Sequence, residues 1–165
     1  MITQQSVFLF ALLAAAAPAQ SLPAAVHYFG ANSCDLPMLV SGAPRPGNTI
    51  QIVSRGTVLV ANHFVPTYVM LGLSTNWIGS LPLPLAISSQ FPGASSCGQL
   101  LQSADWMALM PAATQWLPTV AFDIAIPNDP DLIGLSLACQ TLLAANMFYP
   151  QYAITSNGAH IRVGM

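Results

Sequence analysis

The chain has 165 residues, a formal net charge of −2 and a charged fraction of only 5%. All the acids are aspartate and all the bases arginine, so no basic cluster offers a footprint for nucleic acid. Lysine and glutamate, the usual coating of exposed helix faces, are absent, which disfavours a helical bundle.

Residues 1–19 read as a secretory signal peptide. Residues 7–17 are an apolar core too short to span a bilayer, and Ala17-Pro18-Ala19 puts small residues where a signal peptidase needs them. Cleavage there leaves a single domain over 20–165. The segment before the apolar core lacks Lys and Arg, so an uncleaved anchor stays as the alternative. No later apolar run is long enough to cross a membrane, and none is expected after cleavage.

From residue 25 onward, short apolar segments alternate with turn residues, the rhythm of an all-β sandwich or barrel. "AVHYF" (25–29) and "MLVS" (38–41) are the opening strands, separated by the loop "GANSCD" that holds Cys34. After the turn cluster "GAPRPGN", the stretch "TIQIVS" alternates with Ile50 and Ile52 on one face. "TYVMLGLS" (67–74) is apolar on both faces, as a central strand is. "WIGSLPLPLAI" (77–87) has proline at alternate positions near its centre. It reads as an extended edge segment in which Leu81, Leu83 and Leu85 cover the core and Pro82 and Pro84 line the rim.

"SADWMAL" (103–109) is either a helix capped by Ser103 or strand and loop, with Pro111 ending any helix. "VAFDIAI" points Val120, Phe122, Ile124 and Ile126 one way and Ala121, Asp123 and Ala125 the other. "PNDPD" is a turn, and "GLSLACQTLL" a long strand with Leu135, Leu137, Cys139 and Thr141 inward. In "YAITSNGAHIRV", Asn157-Gly158 predicts a type I′ hairpin turn, followed by Ile161 and Val163 facing inward and His160 and Arg162 facing solvent.

Three cysteines suit an exported protein if two of them pair. Cys34 and Cys97 both sit in small, polar, turn-like sequence that can accommodate a bridge. Bonding them closes a loop of about 60 residues, worth about 4 kcal/mol in the chain-entropy account. Cys139 reads as a buried free thiol acting as a small hydrophobe.

"PGNTIQI", "GLSTNWIGSLPLPLAI", "SSCGQLLQS", "IPNDPDLIGLSLACQ" and "SNGAHIRVG" occur in this order. Together they resemble a β-sandwich module found at the C-terminal ends of secreted bacterial proteins, one without an assigned activity. The resemblance covers residues 30–164 and implies export and the Cys34–Cys97 pairing. Cys139 departs from it, and no catalytic or repeat region precedes the module here.

Side chains able to do chemistry are few. Asp129 and Asp131 beside Asn128 offer oxygen ligands of the kind calcium takes, although the same residues are ordinary turn chemistry. His27, His63 and His160 have no metal-ligand spacing, so only the fold can assemble a zinc site from them. A hydrolase would draw on Asp105, Asp123 and His160, but no G-x-S-x-G elbow or phosphate loop occurs, and nothing calls for a cofactor. Trp77, Trp106 and Trp116 are the candidate binding residues. Trp77 is expected in the core, and Trp106 and Trp116 are the freer two.

The expectation is therefore an all-β, antiparallel β-sandwich of roughly seven to nine strands, Ig-like or jelly-roll-like. It is expected to be secreted, to lack catalysis, and to bind an unknown protein or envelope polymer outside the cell or at its surface. Self-assembly into a surface layer or filament is the alternative.

Overall fold

Alternating apolar residues are the seed of each sheet. The computed structural model describes residues 22–30, 36–55, 59–60, 63–64, 66–86, 98–110, 119–144 and 153–165. The signal-like segment, Cys34, Cys97 and Trp116 lie outside the described residues. Strands follow in chain order as β1 (Ala25–Phe29), β2 (Met38–Ser41), β3 (Thr49–Arg55), β4 (Leu59–Val60), β5 (His63–Phe64), β6 (Thr67–Gly72) and β7 (Trp77–Ile78). They continue as β8 (Leu81–Pro82), β9 (Leu85–Ala86), β10 (Gln99–Leu100), β11 (Trp106–Leu109), β12 (Thr119–Ala125), β13 (Ser136–Ala144) and β14 (Ala153–Arg162). Among the described residues the one helical element is a 3₁₀ turn, Pro130–Leu132. No helix there is long and apolar enough to cross a membrane.

The fold is all-β and antiparallel, as the alternation predicts. A five-stranded sheet runs β1-β14-β13-β6-β11 and a three-stranded sheet runs β12-β3-β2. One apolar cluster joins them: Met38, Ile50, Ile52 and Val120 from the smaller sheet meet Val69, Cys139, Ala159 and Ile161 from the larger. Burying both inner faces against each other is what defines a two-layer β architecture. Ile50, Ile52, Val120, Ile126, Ile161 and Val163 are buried in that cluster, on the parity read from sequence. β6 is apolar on both faces because Val69 and Leu71 face the inter-sheet cluster while Met70 packs with Leu100 and Ala104 on the other side.

The centre of the larger sheet's outer face is covered too. Gln140 on β13 is fully buried, and its amide donates to the carbonyls of Gln99 (2.8 Å) and Ser156 (2.8 Å) while accepting from the Leu101 N–H (3.1 Å). These bonds hold residues 98–105 across β13 and β6, with Gln102 Nε2 donating to the Met70 carbonyl at 2.7 Å. Gly72 permits the close approach, because a Cβ there would overlap the Ser103 carbonyl oxygen.

Two expectations are corrected here. Asn157-Gly158 is no hairpin turn but lies inside β14, which pairs with β13 and β1 on its two sides. Gln140 faces Gly158 and Leu142 faces Thr155, so Ser156 and Asn157 together oppose Thr141. The pair that can turn a chain here makes a bulge, which re-aims a side chain. Asn157 uses that aim to bond Met38 of β2 at both its N–H (2.9 Å) and its carbonyl (3.2 Å).

Second, the Leu-Pro segment does not cover the core. Leu81 is exposed, Leu83 and Leu85 are half-buried, and none joins an apolar cluster. The run is split between the short ribbon β7–β8 and the β9–β10 pair, so it never lies along a large sheet. Of the two options left open for 103–109, the strand is the one observed, since β11 finds a full partner in β6.

Candidate interaction surface

The residues singled out in sequence are dispersed. Asp105 lies just before β11, where its carboxylate accepts the Leu73 N–H (2.8 Å) and the Ser103 hydroxyl (2.7 Å). Asp123 is on the opposite side of the molecule's layers, on the solvent face of β12, accepting from Gln51 Nε2 at 2.9 Å. His160 is on the outer face of β14, edge-on to Phe29. The structure brings no two of these three into a hydrogen bond among the described residues. Asp129 caps the 3₁₀ turn by accepting the Asp131 N–H at 2.9 Å, which is local turn chemistry. Among the described residues no group of three or more His, Cys, Asp and Glu is placed to hold a metal.

Cys139 is fully buried between the sheets. Burial pushes its thiol up to about 12, and a hydrogen bond with the Ala159 backbone lowers it by less. A thiol held neutral in this way is inert as a nucleophile.

The two described tryptophans exchange the roles expected of them. Trp106 packs against the central cluster, its ring 5.7 Å from that of Phe122 across the layers. It does so because Trp106 pairs with Leu71, on the inward parity of β6. Trp77 is 55% exposed instead. Its position follows from Ser74, whose hydroxyl accepts the N–H groups of Asn76 (3.1 Å) and Trp77 (3.2 Å) and turns the chain outward after β6.

Exposed apolar side chains occur along the β11 edge of the larger sheet and in the turn that follows β6. Leu73 is 62% exposed and Leu109 59%, and Met107 and Leu81 are also exposed. Met107 and Leu109 project from β11, the last strand in its sheet. The Asp105 carboxylate ties the start of β11 to Leu73, and Ser103 bonds Ser74 through backbone (2.7 Å) and side chain (3.0 Å). The β6–β7 turn, the β7–β8 ribbon and the β11 edge thus form one braced region. The sequence left 103–109 open between helix and strand, and the register with β6 was needed to put Met107 and Leu109 on one open face. No family model, curated protein or solved structure matches the chain.

Proposed function

We propose that the chain is a secreted, non-catalytic module that binds a protein or an envelope polymer outside the cell. The observation that carries this reading is the group of exposed apolar side chains, Leu73, Trp77, Leu81, Met107 and Leu109. A monomer gains nothing from keeping a tryptophan and four large aliphatic side chains in water, and such groupings mark sites of association. Asp105 is the single charged side chain within the braced region, so recognition there rests on apolar contact and backbone pairing. Export is supported by the signal-like residues 1–19 and by the motif resemblance.

A Cys34–Cys97 bridge belongs to this reading. Leu36, two residues after Cys34, packs with Ile154, and Gly98, next to Cys97, abuts Thr155. Those two contacts lie on opposite faces of β14, so the bridge rests on the turn-like sequence around both cysteines and on the motif resemblance.

A second reading, a self-assembling subunit, is favoured by β11 itself. It ends its sheet with no charge and no proline, the features that normally discourage strand addition. Sizing the secreted protein over a range of concentrations separates the two. A persistent monomer that co-sediments with envelope material, and loses this on Trp77→Ala, fits the module. Oligomers that grow with concentration fit the subunit, and a monomer indifferent to envelope and partner alike rejects both.

A further inference from the structure

The chain has three histidines, and the fold sets two of them directly opposite each other. His27 of β1 and His160 of β14 are partners in the antiparallel register and both are exposed. Directly opposed residues share one face of the sheet, with Cβ atoms about 4.5–5.5 Å apart. From that separation two imidazoles can reach a single ion, at metal–nitrogen distances of about 2.0–2.1 Å.

The surroundings favour such a pair. The Phe29 ring lies over Gly158, where a Cβ would overlap it, and meets the His160 ring edge-on at 5.2 Å and 83°. This contact braces one ligand before any ion arrives, which lowers the ordering cost of binding. Arg162 shares the face, but its Nε donates to the Pro23 carbonyl at 3.3 Å, which anchors the guanidinium toward the chain's opening segment. On the same face the neighbours are Ala25, Ser136, Ala138 and Gln140. None supplies a carboxylate, so calcium and magnesium find no hard ligands, whereas imidazole suits copper and zinc.

We propose that His27 and His160 form a two-imidazole site for a borderline transition-metal ion, Cu(II) or Zn(II). The ion keeps its remaining positions open to solvent, so the site is an exchangeable surface site and not a structural one. It is independent of the apolar surface around β11.

The test uses tag-free protein, because a polyhistidine tag would dominate the signal. CuCl₂ and ZnCl₂ are titrated separately by calorimetry, and the histidine ring resonances are followed by NMR. One ion is expected to bind saturably, with Cu(II) tighter than Zn(II). Substoichiometric Cu(II) should broaden the resonances of His27 and His160 together, in the wild-type protein and without any variant. His27→Ala and His160→Ala should each weaken binding about tenfold or more, while His63→Ala leaves it unchanged. Where an alanine variant loses the wild-type circular dichroism spectrum, the corresponding His→Gln variant replaces it. No saturable binding, unchanged affinity in either His27 or His160 variant, or broadening centred on His63 overturns the assignment.

Discussion

Two strand edges in this protein solve the same problem in different ways. β2 ends the smaller sheet, and side chains from the larger sheet occupy its free backbone groups. Asn157 bonds the N–H and carbonyl of Met38, and the Tyr28 hydroxyl accepts the Val40 N–H (2.8 Å) and donates to the Val40 carbonyl (3.3 Å). β11 ends the larger sheet with exposed Met107 and Leu109, and among the described residues nothing pairs with its outer side. An edge strand is a template for another chain unless something blocks it. Blocking at β2 also fastens the layers together, because each bond crosses from one sheet to the other. The open edge can be given to association without loosening the fold, since Trp106 and Ala108 on the same strand still pack against the core.

The largest expected effect leaves both edges intact and loosens the core between them. The Cys139 thiol sits near 12 in the folded chain against 9.0 for a free thiol. The folded state therefore keeps a proton that the unfolded chain releases. Stability from this group is complete below about pH 9 and falls as pH rises toward 12. The loss across the window is on the order of a few kcal/mol. Urea unfolding at a series of alkaline pH values should show this slope, and Cys139→Ala should flatten it. An unchanged slope in that variant assigns the alkaline loss to other groups.

Breaking the closed edge comes next. Asn157→Leu removes both partners of the buried Met38 backbone, and about 2–4 kcal/mol of stability should go with them. A variant as stable as the wild type would mean that the amide clamp contributes nothing. The smallest effect on stability belongs to the open edge. Met107→Asp should change unfolding free energy by no more than about 0.5 kcal/mol while abolishing whatever association the protein shows. Equal losses of stability at the two edges would erase the distinction between them.

Much of the fold was legible in residue spacing. The strands over 25–29 and 38–41 and the inward parities of Ile50, Ile52, Val120, Ile126, Ile161 and Val163 follow from a period of two, because side chains on a strand alternate strictly. The reading failed, or stayed open, where a local signal admits two structures. Asn-Gly is as compatible with a bulge as with a turn, and only the partners of β14 on both sides select the bulge. Ser103 could cap a helix, but its N–H and hydroxyl were claimed by Ser74 and Asp105.

The candidate surface was less visible for a related reason. Spacing assigns a side chain to a face and says nothing about whether another layer covers it. Trp106 and Trp77 look alike in sequence, yet one faces the second sheet and the other faces water. The histidines lie more than a hundred residues apart in the chain, and antiparallel pairing of the first strand with the last makes them neighbours. Composition and alternation by themselves determined an antiparallel β protein with a particular inward set, since those depend on each residue's own hydrophobicity and on backbone geometry. Which edges close, which tryptophan is buried and which imidazoles meet were decided by tertiary structure, because these depend on what residues distant in the chain bring to the same place.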